Sequence, residues 1–174
     1  QFQFEEHFAR LLETYEGVIH FSLSSEMSSA FANAVAASKK FGGRVRVLDS
    51  RSLSTGIALL AIYASKLAAE GESLGAVAEK CAKRIPYVQA GFVLERLDYL
   101  YKGGRCSSLA YFGANLLKLR PQILVIDGKM GAAKKYRGKI ESAVRSYCAD
   151  TLERFDNPDL EVGFLTYTTA TEGM

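Results

Sequence analysis

No stretch of this sequence holds the roughly 20 consecutive apolar residues that a membrane-crossing helix needs, and no basic region leads into an apolar run at the N-terminus. The mature chain is therefore expected to be soluble, with no stable membrane insertion. Cysteine is scarce: Cys81, Cys106 and Cys148 are odd in number, far apart and without a C-x-x-C pair. That usage signals neither a disulfide framework nor a zinc site and fits a reducing cytoplasm. Histidine is scarcer still, since His7 and His20 stand alone, and two isolated imidazoles do not make a metal site. A serine nucleophile would also lack its usual setting, because there is no G-x-S-x-G elbow and neither histidine sits in a catalytic context. The absence of G-x-G-x-x-G and of G-x-x-x-x-G-K-[ST] leaves nucleotide binding by a known glycine motif unsupported. Internal repeats and low-complexity tracts are missing too.

What is there is a chain of 174 residues, 48% hydrophobic and 24% charged, long enough for one sizeable core or two small ones. Helical and strand-like patterns alternate, which implies α/β architecture. Phe4, Phe8, Leu11, Leu12 and Tyr15 recur at three- and four-residue spacing, predicting a helix with one buried face that Gly17 stops. The pattern then predicts a strand over 18–23, a polar loop over 24–29, a helix from Phe31 to about Lys40, a turn at Gly42-Gly43 and a strand over 45–48. A helix over 54–70 follows, then one from Leu74 to about Arg84 with Ser73 as its N-cap. Pro86 marks the break, and the sequence divides into an N-terminal, truncated Rossmann-like part over 1–85 and a second, mixed-sheet α/β domain over 86–174. Beyond the break a strand is expected over 88–94, a short helix over 95–101, a glycine loop over 102–108 and a helix over 109–117. Strands over 122–126 and 130–136 flank Asp127-Gly128, a hairpin signal because the turn needs positive φ. A long helix over 139–155 and a last strand over 161–167 complete the pattern.

Three groups of residues invite a functional reading. The loop Ser24-Ser25-Glu26-Met27-Ser28-Ser29 lies between a strand end and a helix start, where hydroxyls and unpaired amides can hold a carboxylate or phosphate; equally, Ser28 or Ser29 simply caps the helix. Gly103-Gly104-Arg105 makes a tight turn that presents a guanidinium outward, or an ordinary exposed loop charge. The net charge of +3 is only slightly basic and gives no sign of nucleic acid, yet six Lys or Arg fall between Lys129 and Arg145, most of them on or beside a predicted helix. They form a solvated face or a docking surface. Phe92, Leu94, Leu97, Leu100, Tyr111, Phe112, Leu116 and Leu117 supply either core or the lining of an apolar ligand cleft.

Taken in order, Ser24-Ser25-Glu26-Met27-Ser28-Ser29-Ala30-Phe31, Val47-Leu48-Asp49-Ser50, Leu97-Asp98-Tyr99-Leu100-Tyr101-Lys102-Gly103-Gly104-Arg105 and Leu116-Leu117-Lys118-Leu119-Arg120-Pro121 resemble the pattern of the DegV family. So does Asp127-Gly128-Lys129 followed by Lys134, Lys135 and Arg137. The resemblance implies a fatty-acid-binding protein of the FakB type, which holds one fatty acid in a tunnel between two α/β domains. It presents the carboxylate to a separate fatty acid kinase, for bacterial phospholipid synthesis. The carrier then has no catalytic residue, metal or cofactor of its own, and its ligand is a long-chain fatty acid. Ser25, Ser28 and the amide of Ser29 are implied to hold the carboxylate, and Arg105, Lys134, Lys135 and Arg137 to meet the kinase. Departures are local: Ser29 stands where the family has Gly, and Ala30 where it has a hydroxyl residue. The family's Thr-Ser-Gln motif, first strand and glycine-rich C-terminus are not in the chain, which is expected to be a fragment. The competing class is a small-molecule acyl or phosphoryl transferase using Arg105 and Arg137 as an anion clamp. A third is an interaction module that docks a protein through its basic helix.

Overall fold

Alternation along two short strands organises the first half of the chain. Val18 and His20 of β1 (Val18–Ser22), with Val45 and Val47 of β2 (Val45–Asp49), look to one face, whereas Ile19, Phe21 and Leu48 look to the other. A computed structural model describes residues 1–96, 98–105, 119–155 and 157–167, in two units that divide between Gln89 and Ala90. In the first, β1 and β2 pair in parallel, from Val18 opposite Val45 to Ser22 opposite Asp49. Parallel neighbours need a crossover, and α2 (Ala30–Ser38) provides it, returning through a short 3-10 turn and Gly42-Gly43, both at positive φ. Helices cover both faces. Phe8 of α1 (Phe2–Leu12), Ala34 and Ala37 of α2 and Val45 form one cluster; Ala64 and Leu67 of α3 (Ser54–Ala69) join Val77 and Cys81 of α4 (Leu74–Arg84) in the other. Burial on both faces is why these strands read as short, nearly continuous apolar runs. Ser73 caps α4 as the sequence predicts, its hydroxyl accepting from Ala76 N at 3.3 Å.

The first helix ends earlier than its periodicity predicts. It stops at Leu12, and Tyr15 is exposed instead of extending the buried face. Arg44 is the reason: its Nη2 donates to the carbonyls of Leu12 (3.3 Å) and Tyr15 (3.1 Å) and its Nε to that of Glu16 (3.0 Å). Carbonyls left over at a helix end are thus satisfied by a side chain from the other end of the crossover, and Gly17 is not needed as the stop.

In the second unit β3 (Gly91–Val93), β4 (Leu119–Ile126) and β5 (Lys129–Arg137) form an antiparallel sheet in the order 3-4-5. The predicted hairpin is present: Asp127 and Gly128, at φ 51° and 79°, connect Ile126 to Lys129 in two residues, as a type I′ turn does. Pro121 is tolerated within β4 because β3 reaches only Gln122–Leu124, so at Pro121 the strand pairs, among the described residues, with β5 alone. Phe92, Leu94, Leu100, Met130 and Ala132 pack on the fully buried Ile123. The long helix is α6 (Ile140–Arg154), tied to β5 where Tyr136 Oη and Lys134 Nζ both donate to Asp150 Oδ2 at 2.6 Å.

Several expectations for this unit need correction. The strand over 88–94 is shortened to Gly91–Val93 by a 3-10 turn at Ile85–Tyr87, and the short helix is α5 (Asp98–Lys102). Residues 161–167 form no strand; among the described residues no ladder meets them, and Phe164, Leu165 and Tyr167 are exposed. A strand-like composition does not make a strand without a partner for its backbone. Lys134 and Lys135 lie on β5, as the strand expected over 130–136 has them, and Lys129 and Arg137 lie at its two ends, so most of the six basic residues are on a strand and not on a helix. The helix expected over 109–117 lies outside the described residues.

His20 packs edge-on against Phe4 (5.3 Å between centroids) and Phe8 (5.6 Å). Burial, with a smaller contribution from the His7 charge, holds its pKa below the ordinary histidine value. The unfolded chain therefore takes up this proton first as pH falls. His20 stabilises the fold fully above about pH 6.5 and loses that contribution as pH drops through the unfolded pKa toward the folded one. The expected outcome is that urea midpoints fall more between about pH 7.5 and pH 5 for the parent chain than for His20→Phe. Equal losses would show that His20 is not the responsible group.

Candidate functional site

Because β1 and β2 run in parallel and in register, the loops that leave them emerge side by side. Their backbones continue the ladder one step further: Ser50 N donates to Ser22 O at 3.2 Å and Ser24 N to Ser52 O at 3.0 Å. Between them they carry Ser24, Ser25, Ser28, Ser29, Ser50 and Ser52, with Ser22 ending β1 and Ser54 opening α3. Ser22, Ser24, Ser50 and Ser52 are buried. Ser50 Oγ donates to Ser52 O (3.2 Å) and accepts from Ser52 N (3.1 Å), whereas the hydroxyls of Ser22 and Ser52 have no partner among the described residues. α3 begins tightly against this loop, since a Cβ on Gly56 would lie 2.2 Å from Ser52 Oγ.

Asp49 joins the two loops. Its Oδ1 accepts from Ser25 N (3.1 Å) and Arg51 N (3.0 Å), and its Oδ2 from Ser25 Oγ (2.5 Å). Arg51 is held at a positive φ of 51° and its guanidinium meets Glu26 at 3.5 Å. This arrangement separates the three serines named from the sequence. Ser25 is exposed, but its single proton is committed to Asp49, so it faces an incoming ligand as an acceptor. Ser28 Oγ accepts from Ala30 N at 3.2 Å and keeps its proton to donate. Ser29 occupies the N-cap position of α2 with no side-chain capping bond, and the amides of the first turn have no intrahelical acceptor. Ser28, Ser29 and that first turn, with the positive end of the helix dipole, form a donor set suited to a small anion.

The structure sorts the predicted cations differently. Lys135 and Arg137 alternate with Lys134 and Tyr136 along β5, so the first pair shares one face and the second faces Asp150. Lys134 and Tyr136 hold the Asp150 carboxyl below its ordinary range, and desolvation with the Asp150 bond pushes the Tyr136 phenol well up. Lys134 is bonded to Asp150 within the unit, while it, Lys129, Lys135 and Arg137 are all exposed on this strand. Arg105 is exposed beside Gly104 at φ 67°, its Nη1 donating to Gly103 O at 2.6 Å. Cys106 and the apolar residues at 111, 112, 116 and 117 lie outside the described residues. Among the described residues no three His, Cys, Asp or Glu approach closely enough to hold a metal, and no helix is long and apolar enough to cross a membrane.

Sequence reasoning assigned no role to Asp49, Ser50, Ser52 or Arg51. The signal was present, since Asp49-Ser50 ends a predicted strand as the serine loop does, and two such ends on parallel neighbours must lie together. What the sequence could not supply is that these two strands are neighbours.

Residues 1–161 match the profile of a family described as an uncharacterised protein, DegV family. A DegV domain-containing protein of Caldanaerobacter subterraneus is 31% identical over 166 residues, covering 94% of this chain and 59% of that protein. A fatty acid-binding protein of Thermotoga maritima is 34% identical over 146 residues, covering 81% of this chain and 51% of that one. A solved DegV family protein of Thermus thermophilus, described for its fatty acid binding, superposes with a TM-score of 0.74 at 28% identity, over 87% of this chain and 53% of the other. The chain thus spans between half and three-fifths of the length of these relatives.

The two cap-position serines should separate on substitution. Ser28→Ala removes the acceptor for Ala30 N and is expected to cost about 1 kcal/mol in urea denaturation, whereas Ser29→Ala, which breaks no capping bond, should stay within about 0.5 kcal/mol of the parent. Equal losses would mean that Ser29 also caps α2.

Proposed function

The chain belongs to the DegV family, and from that premise we propose that it acts as a fatty acid carrier with no catalytic machinery of its own, working in the cytoplasm beside a separate fatty acid kinase. The observation that carries this reading is the donor set at the start of α2. Ser28, the N-cap residue Ser29 and the first-turn amides beyond Ala30 stand at the C-terminal end of a parallel strand pair, as a carboxylate site requires. Ser25 joins the head-group site by turning its hydroxyl proton from Asp49 to the ligand. Charge-assisted hydrogen bonds there orient the carboxylate, while burial of the acyl chain supplies most of the affinity at about 0.8 kcal/mol per methylene. No metal or cofactor has a part in this scheme. Arg105, Lys135 and Arg137 serve the kinase-facing surface, with Lys134 acting through its bond to Asp150.

Native mass spectrometry of the purified chain, with solvent extraction and lipid identification, tests the carrier reading: a stoichiometric fatty acid is expected. A chain that stays empty after incubation with long-chain fatty acids would overturn it. The docking surface is tested separately by Lys135→Glu/Arg137→Glu. This variant should bind fatty acid as the parent does but be phosphorylated at least about tenfold more slowly by a bacterial fatty acid kinase. An unchanged rate would remove β5 from the docking surface.

A further inference from the structure

We infer that the hollow between α6 and the bulge of the β4–β5 ladder is a binding site for a small zwitterion of the α-amino acid class. The inference goes beyond the carrier reading and rests on the second unit alone. In the ladder Pro121 faces Lys135 and Ile123 faces Ala132, so Gln122 stands opposite two residues, Ala133 and Lys134. A bulge of this kind re-aims a side chain out of the regular pleat and is common beside active sites. Next to it lies a hollow of about 350 Å³, lined by Gln122, Ala133, Lys134, Asp150, Glu153 and Arg154, a volume in the range of small-molecule sites. Gln122 is only 5% exposed, yet its side-chain amide makes no hydrogen bond to any described residue. A buried amide is ordinarily paired, and this one faces the hollow.

The charged groups around Gln122 define what would complete the set. Asp150 shares one face of α6 with Glu153 and Arg154, three and four residues further on. Lys134 Nζ and Tyr136 Oη both donate to Asp150 Oδ2 at 2.6 Å, which leaves Oδ1 as an acceptor. The side chains of Glu153 and Arg154 are exposed and, among the described residues, make no hydrogen bond or ion pair; the Arg154 guanidinium rests over the Phe155 ring at 5.7 Å. The lining thus carries two cations and two anions. An ion of one sign meets repulsion there as well as attraction, whereas a molecule with both charges close together finds a partner for each. A carboxylate suits the planar fork of Arg154, and an ammonium suits Glu153 and Asp150 Oδ1. The Gln122 amide, donor and acceptor at once, serves a polar group of either kind.

Calorimetric titration of the 174-residue chain with each standard L-amino acid in turn tests the site. At least one should bind with a Kd of about 1 mM or below. Its amine and carboxylic acid analogues, each lacking one charged group, should bind at least about tenfold more weakly. Arg154→Gln and Glu153→Gln, both exposed substitutions, should each weaken the amino acid about tenfold, and Gln122→Leu should weaken it as well. If Gln122→Leu lowers the urea midpoint, the two exposed variants carry the test by themselves. Absence of binding by every amino acid at about 10 mM overturns the inference. So does a singly charged analogue that binds as tightly as the amino acid, or an affinity that neither exposed variant moves. Dodecanoate binding should be the same in all these proteins, and its failure in the unaltered chain would strike the carrier reading while leaving this site standing.

Discussion

Three donors converge on the Asp49 carboxylate, and the first unit is arranged around that convergence. The amide and hydroxyl of Ser25 come from the loop after β1, the amide of Arg51 from the loop after β2. Neither loop contains a glycine to ease its path, and Arg51 is held at a positive φ that a non-glycine residue adopts only when its surroundings require it. One acidic side chain at the end of β2 thus does what a longer ladder would otherwise do. It keeps two serine-rich segments in fixed relation while leaving the start of α2 open.

The same constraint explains why the site was only partly legible. The serine loop, its place after a strand and its place before a helix could all be read from residue type and order. The division of labour among its serines could not. Whether Ser25 donates or accepts depends on a carboxylate 24 positions away, and that proximity follows from the parallel register of β1 and β2. Cap assignment had the same difficulty at shorter range: Ser28 and Ser29 are equally good cap residues by type, and only the turn geometry gives Ser28 the bond to Ala30 and leaves Ser29 without one.

For the fold, local signals succeeded where local physics decides. The Asp127-Gly128 turn, the Ser73 cap and the alternation along β1 and β2 each depend on residues within a few positions of one another. Expectations failed where a distant group intervened or was missing. Arg44, beyond the crossover, ends α1 before its hydrophobic period runs out. Residues 161–167 have the composition of a strand, but among the described residues nothing pairs with them. The hairpin places Lys134 and Lys135 on a strand, as their sequence pattern indicates, and the run of charge from Lys129 to Arg145 spreads over that strand as well as the helix after it.

The two-residue connection between β4 and β5 bears on how the chain acquires its structure as well as on what that structure is. A hairpin closed by Asp127-Gly128 brings its partners together with almost no intervening chain, a process that takes on the order of microseconds. The β1–β2 pair cannot form until the whole of α2 has been threaded between its strands, so its contacts are far less local. The second unit's sheet is therefore the natural first nucleus, and pulse-labelled hydrogen exchange would find the amides of β4 and β5 protected ahead of those of β1 and β2. The serine-rich ends of the parallel pair come last, so the part of the chain proposed to hold the ligand is the part whose assembly leaves a ligand the longest opportunity to take part.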